Sequence, residues 1–249
     1  MKYQSWMSPV IAILLWQGAA MAGLMETRFF PAPSSIFLKF LELVQTDAFW
    51  LDLYISVSRL VIGFTLGAIP GAALGLLMGL SNLANRVFQP LISMLYPLPK
   101  IALLPLIMLI FGYSEASKYV TVAIGVFFIM AINTYGGVQN IPRIYFDVAK
   151  NLKVPHWRVY LTIALPGALP GVFTGLRLAT GVALILLVSA EFVGANEGLG
   201  FRIWWSWTVF WVEQMYVGLV IIALLGFSFA SIVGYLENKF LPWRNKAGN

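Results

Sequence analysis

The 249-residue chain contains no cysteine and one histidine, His156. Without cysteine there is no disulfide, no thiol nucleophile and no thiolate metal site, and the redox compartment leaves no trace in the sequence. A lone histidine without a second one at ligand spacing gives no metal motif. The phosphate-cradling run Gly-x4-Gly-Lys-Ser/Thr is missing, so the chain does not bind ATP by that route. No pair of carboxylates falls within the apolar stretches to serve as a proton relay. These gaps weigh against a membrane enzyme and against a proton-driven carrier.

Charge is also scarce, at 10% of residues, whereas 60% are hydrophobic and the mean hydropathy is +0.83. A water-soluble domain of this size does not tolerate such a surface. A helix needs roughly 20 predominantly apolar residues to cross a bilayer. Six stretches meet that description, at about 8–25, 55–80, 89–111, 118–138, 168–192 and 214–236. Short connections between them leave no room for a soluble domain. The sequence therefore predicts an all-α membrane protein with one transmembrane domain over residues 1–249. The first stretch imitates a signal peptide, with Lys2 ahead of it and Ala20-Met21-Ala22 behind. One cation makes a weak leader, and removing the stretch would place the polar segment 140–166 outside.

Lys2, Arg86, Arg143, Lys150, Lys153, Arg158, Lys239, Arg244 and Lys246 share one side when the N-terminus is inside. Arg28, Lys39, Lys118 and Arg202 fall on the other, with Arg59 at a span entrance and most of the acids. That bias predicts both termini in the cytoplasm. It accounts for the net charge of +6 through orientation in a bilayer, with no nucleic-acid partner. Trp204, Trp205, Trp207 and Trp211 read as an outer interfacial belt.

The segment 140–166 stands out against this background. Ile141, Ile144, Tyr145, Val148, Ala149 and Leu152 recur at helical spacing, which predicts one apolar stripe. Arg143, Asp147, Lys150, Asn151 and Lys153 take the other faces, with Asn140 as N-cap and Pro155 as stop. Such a helix either lies in the headgroup plane or docks on a soluble partner.

Two further patterns concern packing and passage. Gly63, Gly67, Gly71, Gly75 and Gly79 recur every four residues in the second span, and Gly171, Gly175, Ala179 and Ala183 form a shorter stripe in the fifth. Small residues at this spacing let helix backbones approach closely, here predicted between these two spans. Pro70 predicts a kink in the second. Lys100, Arg177 and Glu191 are charged at membrane depth, where such residues are functional candidates, and Asn133 joins them. Arg177 and Glu191 are about 21 Å apart along one helix and do not pair with each other. Lys100 follows Pro97 and Pro99, which break the third span. A cation beside freed backbone N–H groups suits an anion in transit or a lipid phosphate.

Asp147-Val148-Ala149, then Lys153, then Ile163-Ala164-Leu165-Pro166 resembles the "EAA" loop of ATP-binding-cassette importer permeases. Asp147 replaces the usual Glu, and Lys153 stands at the usual Gly. Phe30-Pro31-Ala32-Pro33-Ser34, the run Pro99 to Pro105, Phe111-Gly112, Asn133-Thr134-Tyr135, the run Leu165 to Pro170, Gly175-Leu176-Arg177 and Ala190-Glu191-Phe192 follow in the order expected of the nitrate/sulfonate/taurine/bicarbonate subfamily. The resemblance implies a type I importer permease of the bacterial inner membrane, non-catalytic itself. It implies a cytoplasmic coupling loop at about 139–166, with Asp147, Val148, Ala149, Leu152, Lys153 and Pro166 at the ATPase contact. The implied partners are cytoplasmic ATPase subunits that carry ATP and magnesium, an extracytoplasmic binding protein and a second permease copy. The implied solute is small and anionic. The rival is an ion-gradient-driven carrier or channel whose polar segment is an interfacial helix.

Overall fold

The computed structural model describes residues 7–242, and the cations Lys2, Arg244 and Lys246 lie outside them. The described residues form α1 (Met7–Met21), α2 (Pro33–Leu43), α3 (Asp47–Leu80), α4 (Asn82–Leu95), a 3₁₀ turn (Lys100–Leu103) and α5 (Leu104–Phe111). After these come α6 (Glu115–Gln139), α7 (Arg143–Asn151), α8 (His156–Val159), a π turn (Tyr160–Ala164), α9 (Leu165–Gly194), α10 (Leu199–Thr208) and α11 (Val212–Phe240).

Four continuous helices are long and apolar enough to cross a bilayer: Asp47–Leu80, Glu115–Gln139, Trp157–Gly194 and Val212–Phe240. The predicted third span is a broken pair, α4 and Lys100–Phe111, bent by 91°. Pro97 and Pro99 cannot donate the backbone bonds that would carry α4 onward. The predicted first span is a 15-residue helix within the described residues, about 22 Å long against a hydrocarbon core of about 30 Å. Pro70, by contrast, sits inside an unbroken α3 of 34 residues.

The chain divides into two compact units. One comprises the residues up to Ser56 together with Glu191–Leu224; the other comprises Val57–Ala190 and the residues from Leu225.

In the second unit α6 is the central helix. Leu60, Phe64 and Ala68 of α3, Val122, Val126, Ile129 and Met130 of α6, and Ala179, Ala183, Leu186 and Leu187 of α9 make one buried cluster. The glycine stripe of α3 packs on α6. A Cβ at Gly71 would stand 2.5 Å from the Phe127 carbonyl oxygen, and one at Gly75 2.5 Å from that of Ala131. Gly63, Gly67 and Gly79 likewise meet Val122, Ala123 and Val138. The shorter stripe meets α6 from another side, with Gly171 against Gly137 and Gly175 against Asn133 and Met130. The two stripes therefore do not face each other, which corrects the pairing expected from sequence. Each needs a close backbone neighbour, and α6 supplies Ala123 and Ala131 to the α3 stripe and Gly137 to the α9 stripe.

In the first unit α10 starts where three of its backbone N–H groups are claimed by side chains. α1 and α2 are tied by Gln17, whose amide donates to Ser34 Oγ at 3.1 Å and accepts from Ser34 N at 3.0 Å. The tryptophans of 204–211 pair within this unit, Trp204 with Trp207 and Trp205 with Trp211, each at 4.9 Å between centroids.

Candidate functional site

The segment 140–166 builds a two-sided helix, with a division that the spacing alone does not predict. α7 begins at Arg143, with Pro142 in extended backbone at its N-cap; Asn140, expected as the cap, ends α6 instead. Helical backbone is disfavoured for the residue before a proline, so the helix starts beyond Pro142. Ile141 and Ala149 of the expected stripe are buried within the chain. Ile141 packs with Val138 and Ala168, against Leu76, Leu80, Phe146 and Ile163. Phe146 and Ala149 are thus the inward side. Ile144, Tyr145, Val148 and Leu152 are left 61%, 57%, 48% and 72% exposed. Four apolar side chains on three turns of one helix form a patch that calls for cover. Arg143, Asp147, Lys150 and Lys153 flank it, all exposed, and no salt bridge joins them to the described residues.

α7 ends at Asn151, with Leu152 as its C-cap and Lys153 the residue after the cap. Lys153 has φ +51°, its N–H donates to Lys150 O at 3.0 Å, and Val154 N–H donates to Ala149 O at 2.9 Å. This is a Schellman end, whose left-handed position favours glycine because it has no Cβ. Lys153 adopts the conformation a glycine would take, so the register of the loop survives the substitution. Downstream, Leu165 N–H reaches back to Tyr160 O and closes a π turn. Pro166 next to it has no N–H, and the π turn is the local adjustment ahead of that proline. Asn140, Ile141, Tyr145, Thr162 and Pro166 surround a cleft of about 400 Å³ beside α7.

Of the four candidate pathway residues, each has its polar group engaged within the protein. Lys100 Nζ donates to the carbonyls of Leu95, Tyr96 and Leu98 at 3.1, 2.6 and 2.9 Å, and lies 4.8 Å from the Phe128 ring. Its three donors thereby satisfy the carbonyls that the 91° bend strips of helical partners. Asn133 Nδ2 donates to Ile129 O of its own helix at 2.8 Å. Arg177 is paired with Glu237 of α11. Glu191 is fully buried; it accepts from Ser56 Oγ and from Gly200 N, both at 2.7 Å.

Glu191 belongs to a larger cap. Ser56 Oγ accepts from Leu199 N at 2.8 Å, and Asp52 accepts from Gly198 N at 2.8 Å and from Arg202 Nε at 2.7 Å. The N-cap and first two residues of α10 thus give their N–H groups to Asp52, Ser56 and Glu191. Two carboxylates at a helix N-terminus also complement its dipole.

Residues 71–242 match the family described as binding-protein-dependent transport system inner membrane component. The chain is 34% identical over 248 residues to a Bacillus subtilis protein named for aliphatic sulfonates transport, permease protein SsuC, covering 98% of this chain and 90% of that one. The chain belongs to this permease family. It is also 29% identical over 243 residues to the Escherichia coli taurine transport system permease protein TauC, covering 95% and 88%. Among solved structures, the inward-facing methionine transporter MetNI aligns with a TM-score of 0.66 at 18% identity, over 77% of this chain and 96% of that one. That likeness supports the fold. Family membership also decides against the carrier-or-channel reading.

Several residues that shape this permease escape sequence reasoning. Asp52 and Ser56 are i,i+4 on α3 and carry the α10 cap; their spacing was the available signal. Arg59, nearly fully buried, makes two bonds to Glu115 at 2.7 and 2.6 Å, and Lys118 joins them at 3.4 Å. Glu237 had no signal, since its partner lies 60 residues away.

Proposed function

We propose that this permease is the membrane subunit of an ATP-driven importer, with α7 as the helix that meets a cytoplasmic ATPase. The observation that carries this reading is the exposed quartet Ile144, Tyr145, Val148 and Leu152, held on a helix whose other side is anchored in the chain's own core. A lipid-facing helix would also expose apolar residues. Here they are flanked by Arg143, Asp147, Lys150 and Lys153, and Phe146 and Ala149 fix the helix as a rigid lever.

The charge distribution supports a cytoplasmic position for α7. Of the cations that the sequence assigns to the other side, Arg59 and Lys118 pair with Glu115, Arg202 with Asp52, and Lys39 with Glu42, leaving Arg28 without a carboxylate among the described residues. Arg86, Arg143, Lys150, Lys153, Arg158 and Lys239 have no carboxylate within salt-bridge reach among the described residues. Unpaired cations gather at the inner surface of a bilayer. In this reading both termini are cytoplasmic and the protein resides in the bacterial inner membrane.

Two permease copies would enclose the path, two ATPases carrying ATP and magnesium would hold the two α7 helices, and an external binding protein would deliver solute. ATP binding would close the ATPase pair, bring the α7 helices together and switch the permease between two packings, each biased from one side. The relatives named for sulfonates and taurine support a small anionic solute. The test is purification of the tagged chain from its host in mild detergent, with its companions identified by mass spectrometry. A stoichiometric P-loop ATPase is expected; a transport-competent homomer without one would overturn the reading.

A further inference from the structure

The first unit contains an apolar cavity of about 460 Å³ where α1, α2 and α11 meet. Ile13 and Trp16 of α1, Ile36 and Phe40 of α2, and Val217 and Leu224 of α11 are among its walls. Ile36 and Val217 are buried, whereas Ile13 and Leu224 are exposed at its rim. Every lining side chain is apolar apart from one group, the indole N–H of Trp16. Trp16 Nε1 is buried and has no hydrogen-bond partner among the described residues. Tyr216, whose ring centroid lies 5.7 Å from that of Trp16, gives its hydroxyl to the Phe29 carbonyl at 3.3 Å. A buried donor without an acceptor loses hydration with nothing in return, so in native structures such a group calls for a reason.

The walls narrow what can fill this space. A buried water makes about three hydrogen bonds, and the cavity offers one donor. A helix of a second copy could cover the rim, but its backbone groups are bonded to one another and would leave the indole unpaired. The guest must be apolar along most of its length and carry an acceptor at one end. A phospholipid meets both conditions, since each acyl chain hangs beneath an ester carbonyl. The levels agree as well. Trp16 lies in the later turns of α1 and Tyr216 in the first turns of α11, and aromatic rings of this kind mark the boundary between headgroups and hydrocarbon. From Val217 to Leu224 the cavity follows α11 for about 10 Å away from that boundary.

We infer that this cavity holds one acyl chain of a membrane phospholipid, with the chain's ester carbonyl accepting from Trp16 Nε1. The seated lipid fills the junction and holds α1 and α2 against α11. Only the leaflet that supplies it rests on the topology proposed above; binding itself stands apart from that reading.

The test is native mass spectrometry of the full chain with its co-purified companions, delipidated in detergent. The protein is titrated with dioleoyl phosphatidylcholine or with its diether analogue, which keeps the chains and lacks the ester carbonyls. Wild type is expected to take up one diester lipid per chain before any other, and to bind the diether lipid about fivefold more weakly, the loss of one neutral hydrogen bond. Trp16→Phe keeps an aromatic ring without the N–H; it should weaken diester binding by the same factor and abolish the preference between the two lipids. Ile221→Trp fills the cavity and should remove this first lipid while the companions stay bound. Equal affinity of wild type for the two lipids, an undiminished preference in Trp16→Phe, or a lipid count unchanged by Ile221→Trp would each overturn the inference. Loss of a permease dimer in Ile221→Trp, with no lipid on wild type, would overturn it in favour of a second copy. The Trp16→Phe comparison decides even where Ile221→Trp fails to fold. Failure here with an ATPase still co-purifying leaves the importer reading intact; lipid bound here without an ATPase does the reverse.

Discussion

Ser56 Oγ donates to Glu191 Oε1 at 2.7 Å, joining residues 135 positions apart in a site that water does not reach. The other Glu191 oxygen accepts Gly200 N, and Ser56 Oγ accepts Leu199 N, so one hydroxyl and one carboxylate fasten α3, α9 and the start of α10 together. Removing Glu191 leaves a hydroxyl and an amide buried with one partner fewer. Glu191→Ala is predicted to destabilise the protein by about 3 kcal/mol, with Glu191→Gln recovering part of the loss. Thermal unfolding in detergent, followed by size-exclusion chromatography, measures it.

Lys153 occupies a left-handed position at φ +51°. A non-glycine residue there carries roughly 1 kcal/mol of strain. Lys153→Gly is therefore predicted to raise stability by up to about that amount, less the entropy that glycine adds to the unfolded chain. Retention of the ATPase should be unchanged. A fall in melting temperature would mean that the lysine side chain holds something the backbone geometry does not reveal.

The glycines of α3 differ sharply from an exposed glycine of α9. A side chain at Gly71 would meet the Phe127 carbonyl and the Met130 side chain, whereas a Cβ at Gly181 meets nothing within 4 Å. Gly71→Leu should cost more than about 3 kcal/mol and abolish folded protein, since the α3–α6 backbones would have to separate. Gly181→Ala should stay within about 1 kcal/mol of wild type, on the stable side. Equal yields of both variants, scored by fluorescence-detected chromatography, would remove the close-packing account.

Much of this architecture was legible in the sequence because the signals were local. Runs of apolar residues marked the spans, Pro97 and Pro99 marked the break, and the spacing from Ile144 to Leu152 marked α7. Less legible was which side of α7 turns inward. Ile141 looked like the start of the stripe, but it precedes the helix and packs on Val138 and Ala168, and Phe146 replaces it on the inner face. Nor could spacing tell which helix receives the glycine stripe, since periodicity describes one helix and says nothing of its neighbour. The ties of Glu191 to Ser56 and of Arg177 to Glu237 bridge 135 and 60 residues, a separation no local pattern encodes.

Lys100 spends all three of its ammonium donors on Leu95, Tyr96 and Leu98 carbonyls. Lys100→Met would remove this donor from the Tyr96 and Leu98 carbonyls, leave Leu95 O with the Leu98 N–H alone and loosen the bend, with a predicted destabilisation of about 2 kcal/mol. Were Lys100 instead an anion contact in the path, the variant would keep its melting temperature and lose transport at sub-saturating solute. Measuring both quantities on one preparation separates the roles.

The central claim is that the exposed side of α7 meets the ATPase. Ile144→Asp with Val148→Asp places two carboxylates on that side and touches none of the buried residues that anchor the helix. The decisive measurement is the ratio of ATPase to permease after affinity purification of wild type and of this variant. The predicted result is a stoichiometric ATPase on wild type and at least tenfold less on the variant, at an unchanged melting temperature. An unaltered ratio would contradict the account and return α7 to the headgroup plane.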